Sequence, residues 1–280
     1  MTDIDIDHLR SWIGTEREST DLITPRLAAS LQAVLDESEN AETGAEAPVG
    51  IHWCLSPDIE PMNRLGPDGH PARGGFLPPV PFPRRMWAGG DLQFSGRFMV
   101  GDTVTRRSRI EDVTLKQGRS GALCFVTVRH DYATGRGLVL SERQDLVYRE
   151  LEAKPAASDG KPPAPPIADT SVDIEATPTL LFRYSAITFN GHRIHYDRTY
   201  CIEEEYYPGL VVHGPLQATY LLRIARQQNG GAYPSGFGFR GVKPLFDGQT
   251  IKLCTRKDAG SATLWVQTAS GETTMTASVS

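Results

Sequence analysis

One short stretch of the chain, residues 187–197, concentrates side chains that can move protons or coordinate ions. It reads ITFNGHRIHYD and holds an asparagine, two histidines, an arginine, a tyrosine and an aspartate. Imidazole and carboxylate groups serve both proton transfer and metal binding, so the residue types predict one of these chemistries. The third interpretation is a set of hydrogen-bonded core or interface histidines, which each histidine taken singly would indicate.

The spacing in this segment argues against a metal. His192, His195 and Asp197 form an H-x-x-H-x-D pattern, whereas metal-binding histidines on a helix usually lie four residues apart. Gly191 and the β-rich flanks do not assure a helical register, and the segment offers no cysteine or further acid to complete a metal shell. We therefore expect no metal here.

A second feature, PGLVVHGPL at 208–216, favours proton transfer. An apolar run ends at His213 and Gly214, and Pro215 suits the first turn of a helix. The free N–H groups at a helix N-terminus attract negative charge and can stabilise an oxyanion. A histidine beside such a site is an arrangement for enolate chemistry, which fits thioester substrates.

The elements around this feature form the second half of the chain. The helix has Gly214 as its predicted N-cap and closes at Asn229-Gly230. An apolar segment at 180–189 precedes it. Alternating apolar patterns predict strands after it, at 236–242, 249–257, 262–269 and 272–279.

The first half shows a similar pattern. Thr24 and Pro25 start a predicted helix that runs to about Asp36. Residues 65–90 are rich in glycine and proline but carry large apolar side chains, which indicates an ordered loop over a groove. An antiparallel meander follows, with strands predicted at 92–100, 103–113, 122–132 and 138–148.

The two halves suggest a tandem duplication. FMVGDTVTRRSRI (98–110) and PLFDGQTIKLCTR (244–256) share a turn followed by a long strand, although their identity is weak. We predict the α+β class, with each helix packed on one face of a sheet. The predicted domains are 1–151 and 175–280, joined by a proline-rich linker at 152–174.

The composition excludes several functional classes. The chain has 280 residues and a net charge of −5 at pH 7, without a dense Lys/Arg block, so nucleic acid is not expected as a partner. No apolar run approaches the length of a membrane span, and the acidic N-terminus does not resemble a secretory signal. We expect a cytoplasmic protein whose cysteines are reduced, buried thiols, namely Cys54, Cys124, Cys201 and Cys254.

The motifs carry a family resemblance. NGHRIHYDRTYC (190–201) followed by YPGLVVHGPL (207–216) resembles the signature of MaoC-like (R)-specific enoyl-CoA hydratases and dehydratases, D-x-N-P-(LIV)-H-x-D-P and then an apolar run ending in H-G. LGPDGHPARGGFLPPVPFPRRMWAGG (65–90) is similar to a subfamily of 3-methylfumaryl-CoA (mesaconyl-CoA) hydratases, itaconyl-CoA hydratases and mitochondrial hydroxyacyl-thioester dehydratases. The resemblance implies a double hot-dog fold, an acyl-CoA substrate and no separate cofactor.

The resemblance also implies roles for single residues. His195 falls on the catalytic histidine, Gly214 on the glycine whose N–H polarises the thioester, and Asp197 on an aspartate that we expect to be structural. Asn190 stands where the wider family has a catalytic aspartate, and an amide can hold water but cannot take a proton. The first half has no N-x-x-x-x-H counterpart, so we expect it to shape the acyl pocket.

The expected reaction is syn hydration of a short dicarboxylic enoyl-CoA to citramalyl-CoA. Because a guanidinium matches a carboxylate, the candidate ligands for the free carboxylate are Arg84, Arg85 and Arg193. We expect His192, His213 and Trp87 to line the substrate pocket. The alternatives are a dehydratase or hydratase for longer acyl chains, a thioesterase, and a non-catalytic acyl-CoA-binding module. A homodimer is compatible with all of them.

Overall fold

The computed structural model describes residues 4–38, 40–118, 121–150, 167–258 and 261–280. Ten strands form one antiparallel sheet, and short helices lie against it, so the predicted α+β class is confirmed. The strands are β1 Glu16–Leu22, β2 Arg84–Phe94, β3 Thr103–Gly118, β4 Gly121–Thr134, β5 Gly137–Arg149, β6 Thr170–Ala176, β7 Gly236–Gly241, β8 Gln249–Asp258, β9 Ser261–Gln267 and β10 Thr273–Val279. The helices are α1 Ile6–Arg10, α2 Pro25–Val34, α3 Pro178–Ile187, α4 Arg198–Glu203 and α5 Gly214–Gln228.

The strand order has an internal symmetry. Across the sheet it reads β1-β3-β4-β5-β2-β7-β10-β9-β8-β6, so the five strands on each side of the β2–β7 pair are connected in the same way. β2 and β7 pair antiparallel from Gly89 opposite Arg240 to Gln93 opposite Gly236. Two similar half-sheets therefore join edge to edge, and this pairing covers the edge strand that each would otherwise expose.

The same local signal starts the first helix of each half. Thr24 accepts a hydrogen bond from Leu27 N, and Thr177 accepts one from Leu180 N; in both helices proline occupies the first turn. The hydroxyl satisfies an N–H that has no partner within the helix, and proline has no N–H to lose there. Equivalent chain segments, ITPRL (23–27) and ATPTL (176–180), thus enter equivalent helices.

The halves differ in their long helix. α5 packs against β7, β9 and β10, whereas α2 packs against α3 and the 3₁₀ turn Ile51–Cys54. Buried residues of α2 such as Leu31 share one hydrophobic core with Leu92 and Tyr132 of the sheet, in line with the prediction of a helix packed on the sheet in each half. Within the described part of the first half, however, no helix matches α5 in length. The reason is visible in residues 48–83, where frequent prolines and glycines prevent a continuous helix.

Other boundaries also differ from prediction. The strand expected at 92–100 is Arg84–Phe94, and it pairs with β5 and β7 rather than with β3, so the expected meander is interrupted. Residues 84–90 of the predicted loop belong to this strand. Most of the predicted linker lies outside the described residues, and its last part enters β6. The division into two domains at these boundaries stays a prediction.

The core lies between the helices and one face of the sheet. Buried side chains at alternating positions of β4, among them Val126, Val128 and Tyr132, point to that face. β3 and β4 are long enough to extend past the main core, and their outer part is covered by α1 and residues 76–82. All four cysteines are free and buried, as expected. Among the described residues, no helix is long and apolar enough to cross a membrane.

The loop around Gly69, in the first half, packs directly against the backbone of the second half at Gly191. Gly69 has φ +86°, and a Cβ on it would lie 2.0 Å from the carbonyl oxygen of Gly191. Arg193 N donates to the carbonyl of Asp68 at 2.9 Å, and Arg193 Nη1 donates to the carbonyl of Pro67 at 3.0 Å. The glycine-rich loop is therefore held against the histidine segment at backbone distance.

Gly69→Ala should destabilise the protein by about 1–3 kcal/mol, since it combines a left-handed backbone with a collision against Gly191. Gly74→Ala is the matched control, because Gly74 has φ +87° but nothing nearer than Pro79 Cβ at 3.7 Å. The measurement is the free energy of unfolding in urea. Equal losses for the two variants would contradict the role assigned to the contact.

Candidate active site

A cavity of about 1060 Å³ opens where the two halves meet. Both halves contribute to its wall, through β2 and the loop before it on one side and the histidine segment with the start of α5 on the other. His213 and Asp197 are absent from the lining. The other predicted site residues line it, namely Arg84, Arg85, Trp87, Asn190, His192, Arg193, His195 and Gly214.

His195 is held in one tautomer. It ends the 3₁₀ turn Arg193–His195, and its Nδ1 lies 2.7 Å from the carbonyl oxygen of Val211. A carbonyl can only accept, so Nδ1 carries the proton and Nε2 has a free lone pair. Val211 N in turn donates to the carbonyl of Ile194 at 2.9 Å, which fixes the two segments against each other.

Burial keeps this imidazole neutral. His195 is 7% exposed, and desolvation lowers its pKa to about 4 against the smaller upward effect of the Val211 hydrogen bond. At neutral pH the ring is therefore unprotonated at Nε2. An imidazole in this state can accept a proton, which is what a general base requires.

His213 packs against the ring of His195 but does not line the cavity. The two rings stack with centroids 3.6 Å apart and planes 17° apart. His213 Nε2 lies 2.8 Å from the Ser185 hydroxyl, and His213 occupies the N-cap position of α5. The expectation that Gly214 is the N-cap is corrected by one residue. This stacking places the free Nε2 of His195 beside the N-terminus of α5.

Gly214 is the first residue of α5 and lines the cavity. No side chain caps this end, and the first N–H groups of a helix have no intrahelical acceptor. A Cβ at Gly214 would lie 3.0 Å from Trp87 Cε3, so glycine lets the backbone approach the indole. Trp87 is held by Phe239, 4.6 Å away between centroids, and by Trp53, 5.5 Å away. The helix end is thus an open donor site walled by aromatic rings.

Asn190 uses its carbonyl oxygen locally. Oδ1 accepts a hydrogen bond from the backbone N–H of His192 at 3.0 Å, and because an N–H only donates, this assigns the oxygen to that side. Phe189 before it has φ +51°, which turns the chain sharply. The Asn190 amide therefore retains its NH₂ group for a ligand and can donate a hydrogen bond to a water.

The structure speaks against carboxylate binding by two of the three predicted arginines. Arg84 is 6% exposed, and its Nε donates to Glu205 Oε2 at 2.8 Å in a buried ion pair that also contacts the Glu205 carbonyl. Arg193 is bound to Asp197 Oδ2 through Nε at 3.1 Å and Nη2 at 2.8 Å. Each of these guanidinium groups is thus already paired with a carboxylate of the protein.

Asp197 lies outside the cavity, at the start of α4. Besides Arg193 it accepts a hydrogen bond from Tyr200 N at 3.0 Å, so it caps that helix. Its pKa is lowered by this backbone hydrogen bond and by Arg193. The H-x-x-H-x-D pattern is thus divided between a cavity wall and a helix cap.

Sequence reasoning missed two residues of the glycine-rich loop, His70 and Asp68. His70 lines the cavity with its ring 4.0 Å from that of His192, and Asp68, which is absent from the lining, bonds to His70 with Oδ2 3.1 Å from Nδ1. Asp68, His70 and His192 each bring one potential ligand atom within 4.8 Å of the others. A lone histidine in GPDGHPARGG was the available signal, but only the Gly69–Gly191 contact brings it to the site.

The chain has relatives in the curated proteins. The profile of the family hydroxyacyl-thioester dehydratase type 2 matches residues 50–247. A mesaconyl-C(4)-CoA hydratase of Chloroflexus aurantiacus is 41% identical over 272 residues, covering 96% of both chains. A mitochondrial hydroxyacyl-thioester dehydratase type 2 of Schizosaccharomyces pombe is 28% identical over 248 residues, 78% of this chain and 79% of that one.

Solved structures agree on the fold. A MaoC-like dehydratase from Phytophthora capsici has a TM-score of 0.70 at 16% identity, covering 99% of this chain and 98% of that one. HtdX of Mycobacterium tuberculosis has a TM-score of 0.65 at 18% identity, covering 94% and 99%. A further M. tuberculosis protein, described as a double hotdog fold, has a TM-score of 0.56 at 15% identity, covering 98% and 96%. The predicted double hot-dog fold is confirmed.

The buried histidines predict loss of stability in mild acid. Burial lowers the pKa of His195 and His70 to about 4 and of His52 and His130 to about 3, against 6.5 in an unfolded chain. Between these values the unfolded state binds more protons, so stability is retained above about pH 6.5 and falls as the pH drops toward 4. Each such histidine contributes up to roughly 1.4 kcal/mol per pH unit across that window.

Urea titrations at about pH 7 and about pH 5 measure the effect. His130→Gln should reduce the pH dependence, because it removes one buried titrating group. A free energy of unfolding that does not change between the two pH values would contradict neutral burial of these rings.

Proposed function

The chain belongs to the hydroxyacyl-thioester dehydratase type 2 family of MaoC-like hydro-lyases, and from this premise we propose that it reversibly hydrates 3-methylfumaryl-CoA or itaconyl-CoA to citramalyl-CoA. The observation that carries the proposal is the neutral His195, with Nε2 free, beside the uncapped N-terminus of α5. The relative named mesaconyl-C(4)-CoA hydratase supports the choice of acyl group.

For 3-methylfumaryl-CoA, whose double bond is conjugated with the thioester, the proposed reaction begins with water held by the Asn190 NH₂ group. His195 Nε2 removes one proton from the water while the water oxygen forms a bond to the β-carbon of the enoyl thioester. The electrons of the carbon–carbon double bond move toward the thioester carbonyl and form an enolate. The Gly214 N–H and the dipole of α5 stabilise the developing negative charge.

The second step completes the addition. Protonated His195 returns its proton from Nε2 to the α-carbon, and the enolate collapses to the saturated thioester. One molecule of water has been added, no electrons have left the substrate, and the base is regenerated. Because a single group delivers both parts of the water, addition occurs on one face of the double bond.

The family also contains dehydratases, which makes a longer 3-hydroxyacyl thioester the second candidate substrate. The position of Trp53 favours the short dicarboxylic enoyl-CoA over the longer acyl chain. It lines both the main cavity and a second cavity of about 170 Å³ in the first half, and Arg106 and Gln144 share both walls. The Trp53 ring is held in place, since its Nε1 donates to the fully buried Glu142 at 2.8 Å. An acyl chain that extends toward the second cavity would meet this ring.

His195→Ala should lower kcat by about 10²–10⁴-fold, because it removes the only group assigned to proton transfer. In the unmodified protein kcat/KM should fall as the pH drops through about 4, where His195 becomes protonated and can no longer act as a base. The loss of enoyl-thioester absorbance measures the reaction for 3-methylfumaryl-, itaconyl-, crotonyl- and long-chain enoyl-CoA.

The same experiment separates the alternatives. Release of free thiol in step with the loss of absorbance would indicate a thioesterase, because hydration leaves the thioester bond intact. Binding of CoA esters without turnover, unchanged by His195→Ala, would indicate a non-catalytic module. Activity restricted to long acyl chains would reject the dicarboxylic substrate and favour the dehydratase alternative.

Trp53→Ala should raise the kcat/KM of a longer enoyl-CoA relative to a four-carbon one by about 10-fold or more, because it joins the two cavities. Trp53→Phe is the control: it loses the hydrogen bond to Glu142 but keeps most of the ring volume, so the preference for short chains should persist. If both variants shift the preference equally, chain length is not set by the bulk of this ring.

A further inference from the structure

Arg85 differs from the two arginines on either side of the site. It is half-buried on the cavity wall, and within the described part of the chain no carboxylate oxygen lies within 4.0 Å of it. Its cross-strand neighbour Tyr148 is buried, which raises the pKa of that phenol and keeps it neutral. Arg85 therefore brings a positive charge to a partly dehydrated wall without a paired anion, which favours binding of an anionic ligand.

The charge of Arg85 acts on the histidines beside the catalytic base. After the larger effect of burial, it contributes to the lowered pKa of His70, and to that of His192 after burial and the two neighbouring imidazoles. Burial raises the pKa of Asp68, but its hydrogen bonds with His70 and the charge of Arg85 lower it overall. The Asp68 carboxylate is bonded to His70, with Oδ2 3.1 Å from Nδ1 and Oδ1 3.0 Å from the backbone N. Asp68 thus orients His70 and does not pair with Arg85.

The position of this group suits one part of the proposed substrate. In 3-methylfumaryl-CoA the free carboxylate is bonded to the β-carbon, which must lie within reach of the water on His195. A receptor for that carboxylate must therefore adjoin His195. His192 adjoins it, since its ring is edge-on to the His195 ring with centroids 5.4 Å apart. The His70 ring lies on the His192 ring, with centroids 4.0 Å apart.

We propose that Arg85 and His192 form the binding site for the free carboxylate of the acyl group, with His70 and Asp68 as positioning residues. The inference rests on the proposed function and specifies its substrate class as enoyl thioesters with a carboxylate on the β-carbon. Arg85 supplies the counter-charge and His192 supplies an N–H donor, whereas His70 donates its Nδ1–H to Asp68 and packs against the His192 ring.

Two other ligands fit the site less well. A divalent cation could use Asp68, His70 and His192, but the charge of Arg85 opposes it. The phosphates of CoA are negative, but they lie on the far side of the thioester from the β-carbon, whereas Arg85 acts on the imidazoles next to His195. Each of these ligands predicts a different outcome of the test.

The test compares two substrates that differ only in the carboxylate. Crotonyl-CoA is 3-methylfumaryl-CoA with hydrogen in place of that group. Arg85→Gln should lower kcat/KM for 3-methylfumaryl-CoA by about 10²-fold and leave kcat/KM for crotonyl-CoA within a few-fold. Arg107→Gln is the control and should change neither, because Arg107 is an exposed arginine paired with Glu18 and both residues are absent from the cavity lining.

Binding without turnover gives an independent readout. Succinyl-CoA and butyryl-CoA differ at the same position and have no double bond to hydrate. Calorimetry should show that Arg85→Gln weakens succinyl-CoA about 10²-fold and butyryl-CoA little. Asp68→Asn should weaken succinyl-CoA by a smaller factor and raise KM for 3-methylfumaryl-CoA more than it lowers kcat, since it acts through His70.

The outcomes separate this inference from the proposed function. Wild-type protein inactive on both enoyl-CoAs would reject the proposed function. Wild-type activity on 3-methylfumaryl-CoA with equal losses for both substrates in Arg85→Gln would reject only the carboxylate site and indicate CoA phosphate binding. Stoichiometric Zn²⁺ binding that is lost in His70→Gln would overturn the carboxylate site in favour of a metal.

Discussion

The proposed active site depends on two hydrogen bonds between Val211 and the turn that carries His195, the proposed base. Val211 N donates to the Ile194 carbonyl, and the Val211 carbonyl accepts from His195 Nδ1. The first bond ties the histidine segment to the chain that leads into α5, and the second selects the tautomer with a free Nε2. Because both pass through one residue, the position and the protonation state of His195 are set together, close to the helix N-terminus.

Burial keeps the imidazoles of the site neutral, and it also costs folding free energy. Neutral imidazoles packed against one another keep a lone pair available at neutral pH, but they forgo the hydration that a charged ring would have. His213 shows the cost directly, since its Nδ1 has no hydrogen-bond partner among the described residues. The stacking of His213 on His195 and its bond to Ser185 partly offset this loss, and they hold the base from the side away from the cavity.

Several features could be predicted because they depend on neighbours in the chain. Thr24-Pro25 predicts a helix start through a hydroxyl cap and a fixed φ, and the helix begins there. The related segment ATPTL (176–180) is an equally good local signal for the start of α3. In contrast, Arg84 and Arg85 are adjacent, chemically identical and both on the cavity wall, yet Arg84 is buried in an ion pair with Glu205, whereas Arg85 forms no ion pair with the described residues. Glu205 lies 121 positions along the chain from Arg84, so nothing in the local sequence says which arginine it pairs with.

The sequence by itself determined the α+β class, the helix that begins at Gly214 and the family signature around Asn190 and His195, since each depends on local propensity or on a short run of residues. Only the tertiary structure decided that β2 and β7 join the half-sheets, that His70 and Asp68 reach His192, and that Arg193 is bound to Asp197. The physical reason is that these contacts join segments far apart in the chain or choose among equal side chains. Packing makes that choice: two glycines meeting at backbone distance bring a distant loop to the site, and no local pattern encodes the partner.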